Sequence, residues 1–276
     1  MNAYSDIQVE IEDPVALIRL NRPDKLNAFS YRTLQEIRSA IDAAAADSRV
    51  VGIVVTGNGR GFCSGLDAQD LARTTSGGGA RRGEPDPDEL PGIFSYFLRV
   101  PKPIVAAVNG VAAGGGLILA LMSDVRIASR AASFTTVFLK RGLIAEHGAS
   151  WLLPRLVGTG RALDLLWTSE RIDAETAHRI GLVEHLCEPD ALLDAARDHV
   201  RRIAETTAPA AIAETKRLVY AHLGTGYAEA LREADEVQWK FVTAPDAAEG
   251  AKALIEKRAA QFARLGDAPD EPGETT

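Results

Sequence analysis

Apolar and polar residues alternate along Ile7–Ile11 and Val15–Leu20, on either side of Glu12-Asp13-Pro14. A period of two around a proline-containing break predicts an antiparallel hairpin, ended by Asn21-Arg22-Pro23. Ser30 is placed to cap a helix to about Ala46, with Leu34, Ile37 and Ile41 recurring on one face. The run Val50–Thr56 (VVGIVVT) is continuous and rich in β-branched residues, as expected of a strand buried on both faces. The glycine-spaced loop Gly57-Asn58-Gly59-Arg60-Gly61 follows. Residues 74–92 (TTSGGGARRGEPDPDELPG) have the composition of a mobile surface loop. A second apolar run, Ile104–Val108, predicts a buried strand broken by Asn109-Gly110. Gly114–Gly116 then lead into Leu117–Met122, dense in helix formers, and a short strand follows at Asp124–Ala128.

From about residue 148 the pattern turns largely helical. Asp173 is placed to cap one helix and Gly181 to end it, with a last strand at Leu182–Cys187. Helices are expected over 189–205, 208–222, 227–242 and 246–264, the last opened by a capping box of Asp246 and Glu249. Strands alternate with helices in the first two-thirds and helices dominate the last third. The expected class is therefore α/β, a core of repeated ββα units with a helical appendage.

Composition narrows the function. The chain has 276 residues, 46% hydrophobic and 25% charged, with a net charge of −7. Basic residues are scattered, which argues against a nucleic-acid partner. No apolar run approaches the roughly 18 residues of a membrane span, and MNAYSDIQVEIED does not read as a signal peptide. Cys63 and Cys187 lie far apart, without metal-ligand spacing, which fits a reducing cytoplasm and no metal site.

The chemistry concentrates at the glycines. Three of them at 114–116 cost about 1 kcal/mol each relative to alanine inside a helix. Bare backbone at a helix N-terminus offers free N–H groups and partial positive charge to a developing anion. The alternative is a tight helix–sheet contact. A second glycine-rich segment, GRGFCSGLDAQDL (59–71), also follows a strand and precedes a short helix. One N–H from each segment would hold a single oxygen, as enolate chemistry beside a thioester requires. Gly61-Phe62-Cys63-Ser64-Gly65 also fits a G-x-C-x-G nucleophile elbow, but Cys63 lies seven residues past Thr56, whereas an elbow joins strand to helix directly.

The ordered motifs NRPDKLNAFS (21–30), GRGFCSGLDAQDL (59–71), KPIVAAVNGVAAGGG (102–116), SDVRIAS (123–129) and RGLIAEHGASWLLPRLVG (141–158) resemble the crotonase, or enoyl-CoA hydratase/isomerase, family, as does EKRAAQF (256–262). The resemblance implies a crotonase-like spiral of ββα units over 1–200 and a C-terminal helical trimerisation region over 201–265. Residues 266–276 would then be a disordered acidic tail. It implies an acyl-CoA thioester as substrate, no separate cofactor, and a homotrimer or hexamer. By the same resemblance the oxyanion-hole N–H groups fall on Leu66 and Gly115. Coenzyme A would lie near Lys25, Leu26 and Ala28 and the loop of Ser64, Gly65 and Asp67. Lys257 and Phe262 would close on the coenzyme A of a neighbouring subunit. For Lys25 a solvated turn lysine is the alternative, and for Asp67 a helix cap.

The chain departs from the family's hydratases at both of their glutamates. Their positions fall on Ile118 and Phe138, neither of which can position water or deliver a proton. Glu146 remains, and it matches the single catalytic acid of the delta-3, delta-2 enoyl-CoA isomerases. Phe134-x-x-x-Phe138 resembles that subgroup too. One carboxylate suits a shuttle that takes a proton from the alpha carbon and returns it to the gamma carbon, with Ile118 and Phe138 as an apolar wall. Set against this, Glu146 is an acid that merely favours a helix N-terminus. His147 is either its acid/base partner or a neighbour pointing elsewhere. Trp151 and Leu152 are expected either in an acyl pocket or in the core; Trp167 and Trp239 in packing or a subunit contact. Rival readings are a hydratase with a non-standard acid/base set and a non-catalytic acyl-CoA binder.

Overall fold

The computed structural model of the chain describes residues 4–76 and 90–266. The hairpin forms as its alternation predicts: β1 (Ile7–Glu12) pairs antiparallel with β2 (Val15–Leu20). Ser30 caps α1 (Tyr31–Ala46) by accepting from the Thr33 N–H, and the Thr33 hydroxyl accepts from the Ser30 N–H. Ile37 and Ile41 are fully buried on its inner face. The chain then runs through β3 (Gly52–Gly57), β4 (Gly61–Cys63) and α2 (Ala68–Thr75). The loop expected over 74–92 overlaps α2 at its start, and residues 77–89 lie outside the described residues.

The next unit is β5 (Ile104–Val108), β6 (Val111–Ala113) and α3 (Gly115–Met122). It is followed by β7 (Val125–Ser129), β8 (Ser133–Thr135) and α4 (Ala149–Val157). Each unit sends its first strand to one sheet and its second to another. The larger sheet therefore reads β1-β2-β3-β5-β7-β10, with β10 at His185–Cys187, and the smaller reads β4-β6-β8-β9, with β9 at Ile172–Asp173. Pairing from β2 to β10 and from β4 to β8 is parallel. This is the repeated ββα spiral.

All of β3 and β5 is buried, because the larger sheet is covered on both faces. Ile18, Ile53, Val55, Ala106 and Val108 face the main core toward the smaller sheet and α3. Leu17, Val54, Val105 and Ile127 face outward onto Leu192, Ala196 and Val200 of α7 (Leu192–Thr206). Between these lie α5 (Thr159–Thr168) and α6 (Ala174–Arg179), the latter capped by Asp173 as expected. Three further helices close the described chain: α8 (Pro209–His222), α9 (Tyr227–Val242) and α10 (Pro245–Glu256).

Two polar anchors hold the start of β5. Lys102, fully buried, donates to the Ala44 and Asp47 carbonyls at the end of α1, and burial lowers its pKa. Asp124 accepts from the Ile104 N–H at 2.7 Å, from Lys216 Nζ at 2.7 Å and from the Tyr220 hydroxyl at 2.9 Å. It thereby ties α8 to the sheet.

The last helix departs from its expected form. It ends at Glu256 rather than 264, because Lys257 turns left-handed at φ 56°. The Asp246–Glu249 capping box does not form either. Pro245 takes the first helical position, so Ala244 is the cap residue, and no side chain caps there. Glu249 instead receives Arg258 and the Gln261 N–H, which folds the following segment back along the helix.

Packing is tight between α3 and β4. A Cβ on Gly116 would lie 2.0 Å from the Cys63 carbonyl oxygen, whereas one on Gly160 in α5 would meet nothing within 4 Å. Gly116→Ala should therefore cost at least about 1–3 kcal/mol and lower the thermal midpoint, at about 2–4 °C per kcal/mol. Gly160→Ala should leave the midpoint unchanged or raise it. Thermal unfolding followed by circular dichroism compares the two.

Candidate active site

The site grows from two places where a strand of the smaller sheet gives way to bare backbone. After β4, Gly65 turns with φ 93°, and its carbonyl accepts from the Phe29 N–H at 2.9 Å. Asp67 returns the bond to the Phe29 carbonyl at 2.9 Å, so Phe29 and Leu66 form a parallel bridge. In such a ladder both bonds come from the residues flanking Leu66, and its own N–H faces the other way. Among the described residues nothing accepts from it. After β6, Gly114 turns with φ 53° and donates to the Thr135 carbonyl. Gly115 then opens α3, where an N–H has no acceptor within the helix.

The two segments touch. A Cβ on Gly65 would lie 2.9 Å from the Ala113 carbonyl oxygen and 3.2 Å from the Gly115 nitrogen. One on Gly115 would lie 2.4 Å from the Phe29 ring. Glycine is therefore required at both positions by space, and at 65 by conformation as well. Both readings of the triplet hold together: Gly116 makes the tight helix–sheet contact, and Gly115 presents bare backbone to a cavity.

That cavity has a volume of about 310 Å³ and is lined by Gly65, Leu66, Gly114 and Gly115. Its walls are apolar, with Phe29, Leu34, Ile93, Val137, Phe138 and Leu143 among them. Its titratable side chains among the described residues are Tyr31, Arg141, Glu146 and His147. Glu146 lies before Gly148, the N-cap of α4, so it stands outside the helix and lines the cavity. Its carboxylate is 34% exposed and 3.7 Å from Nε2 of His147. Burial lowers the His147 pKa, with the Glu146 charge opposing. Cys63 is no nucleophile: burial pushes its thiol up to about 12.

A second depression, of about 370 Å³, adjoins the first, with Tyr31 lining both. Arg22, Lys25, Arg32 and Arg73 face it, against Asp67 and Asp70. Asp67 caps α2 through the Gln69 N–H at 3.1 Å, as the capping alternative anticipates. It also receives Lys25 at 2.8 Å and Arg22 at 3.0 Å, and the Lys25 hydrogen bond above all holds its pKa down at about 2. Lys25 is thus paired rather than solvated alone. Around it Leu26 adopts φ 50°, Ser64 donates to the Lys25 carbonyl at 3.2 Å, and the Ala28 carbonyl accepts from Arg22.

Other expected site residues lie elsewhere. Ile118 is fully buried in the core of α3 and does not line the cavity, so Phe138 alone of the two forms its wall. Trp151 stacks under the Arg155 guanidinium and borders a separate cavity of about 1010 Å³ with Met122 and Tyr220; Leu152 is core. Trp167 and Trp239 are exposed. Lys257 is exposed at the end of α10, and the Phe262 ring approaches Gly250 of the same helix, so neither borders the cavity of its own chain. Sequence reading missed Arg22, Arg32 and Arg73. Of these, Arg22 lies within the motif at 21–30 and Arg32 just past it, but only the fold brings Arg73 beside them.

Residues 10–264 match the family model described as enoyl-CoA hydratase/isomerase. A probable enoyl-CoA hydratase of Rhodobacter capsulatus is 36% identical over 263 residues, covering 94% of this chain and 98% of the relative. The 1,2-epoxyphenylacetyl-CoA isomerase of Escherichia coli is 35% identical over 201 residues, covering 70% and 74%. The crystal structure of an enoyl-CoA hydratase from Mycobacterium tuberculosis superposes with a TM-score of 0.84 at 31% identity, covering 95% of this chain and 99% of that one. Motifs, two-sheet spiral and paired glycine turns all agree with these matches: the chain belongs to the enoyl-CoA hydratase/isomerase family, the crotonases.

Proposed function

We propose that this enzyme shifts the double bond of an enoyl-CoA thioester, through an enolate held by the Leu66 and Gly115 N–H groups, with Glu146 as its single proton carrier. The observation that carries the reading is the make-up of the cavity. Among the described residues it holds one carboxylate, Glu146, together with both bare-backbone segments, while Phe138 stands where a hydratase glutamate is expected. Glu146 takes a proton from the alpha carbon, the two N–H groups hold the negative charge on the thioester oxygen, and Glu146 returns the proton to the gamma carbon. The α3 N-terminus adds its partial positive charge to the same oxygen.

The basic depression beside Tyr31 supports a place for the phosphates of coenzyme A: Arg22, Lys25, Arg32 and Arg73 face it, with Asp67 pairing the first two, Asp6 pairing Arg32 and Asp70 pairing Arg73. The apolar walls suit the acyl chain. Exposed apolar side chains on the last two helices, Tyr227, Leu231 and Trp239 on α9 and Leu254 and Ile255 on α10, support a homotrimer or hexamer packed through them. In that assembly Lys257 and Phe262 would reach a neighbour's site.

Water addition is the second reading, favoured by relatives named as hydratases. A panel of 2-enoyl and 3-enoyl thioesters, followed for both hydration and double-bond migration, separates the two. Migration on 3-enoyl substrates should dominate; hydration of 2-enoyl substrates at a higher kcat/KM would favour the second reading, and no turnover on either a binding protein. Glu146→Gln should lower the migration rate by about 10²–10⁴-fold, the usual contribution of a positioned acid/base, and unchanged turnover would remove Glu146 from the mechanism. Leu66→Pro deletes one donor but spares both ladder bonds to Phe29, which use its neighbours. It should raise the barrier by about 2.7–4 kcal/mol, read as a fall in kcat for a variant with unaltered circular dichroism.

A further inference from the structure

The segment that carries Glu146 ends in two consecutive residues of left-handed backbone, His147 at φ 53° and Gly148 at φ 88°. Glycine enters that region freely, and histidine, like asparagine, is among the few other residues found there. The turn places the imidazole on the cavity lining, with Nε2 3.7 Å from Oε2 of Glu146. Gly92 is a neighbour of this turn: a Cβ built there would lie 3.8 Å from the His147 Cα. Among the described residues no hydrogen bond holds the ring, and Glu146 is the one charge acting on it. The other titratable groups of the cavity are Tyr31 on α1, whose hydroxyl shares a hydrogen bond with Thr74, and Arg141, which keeps its charge throughout.

We propose that His147 is a positioning residue that sets the pH range in which Glu146 works. The neutral ring leaves the carboxylate basic; the protonated ring becomes a counter-ion 3.7 Å away and withdraws that basicity. The inference rests on the reading of Glu146 as the proton carrier. Burial keeps the imidazole below its ordinary 6.5, so it is neutral at pH 7 and takes up a proton only in more acidic solution. Turnover therefore falls on the acid side as the ring gains its proton.

The test compares kcat–pH profiles for double-bond migration in wild type, His147→Asn and Glu146→Gln, with the imidazole followed by NMR. Asparagine tolerates left-handed backbone and does not titrate. His147→Asn should stay active at neutral pH and move the acid limb to lower pH by about half a unit or more. In Glu146→Gln the imidazole should titrate lower than in wild type, because the carboxylate that favours its charged form is gone. An unmoved acid limb in His147→Asn, or an unmoved imidazole titration in Glu146→Gln, overturns the inference and leaves the role of Glu146 intact. A folded His147→Asn protein inactive at every pH also overturns it, since the ring would then carry the proton itself. Undiminished turnover by Glu146→Gln overturns the underlying reading instead.

Discussion

The structure depends on one steric constraint: the turn after β4 and the turn after β6 meet backbone to backbone. Gly65 faces Ala113 and Gly115 at distances that leave no room for a methyl group, and Phe29 closes the contact from the third side. Two free N–H groups are brought to one place this way without a side chain to position them. Side chains carry rotamer freedom, whereas backbone N–H groups are fixed by strand and helix geometry, and in the proposed reaction they would need no reorganisation as charge develops. The ββα repeat makes the arrangement natural. Each unit delivers a strand of the smaller sheet to the same level, so successive strand ends converge.

Around this contact the fold separates its polar tasks. Buried ionic groups serve architecture: Lys102 satisfies the carbonyls at the end of α1, and the Asp124–Lys216–Tyr220 group pins α8 to the sheet. Breaking such a pair leaves a stranded charge, so these groups fix position more than they add stability. The cavity itself holds little charge. Its walls are apolar, and in the proposed reaction they would keep water from competing for the enolate oxygen.

Much of this was legible in the sequence. The alternation at Ile7–Leu20, the Ser30 cap and the unbroken β3 run each encode structure locally, and each forms as expected. The glycines at 65 and 115 stood out as bare backbone after a strand, while the triplet alone left a tight helix–sheet contact open, and Gly116 makes that contact. What escaped depends on distance. Ile118 sits near the glycine triplet, yet the helical turn rotates its side chain into the core. Arg73 joins Arg22 and Arg32 only when α2 folds against α1. The last helix misread for a different reason: Pro245 displaced the cap, and Glu249, a sound capping residue by spacing, found a stronger partner in Arg258.

The Phe29 bridge has a consequence for how the protein acquires activity. Residues 29, 65 and 115 are far apart in the chain, and no two of them share a ββα unit. Loop closure over such separations is slow and goes unrewarded until the elements between have formed. These contacts are therefore expected late in folding, once the strands that carry them have paired. Recovery of turnover from denaturant is then a clock for these late contacts, while recovery of helix signal times earlier ones.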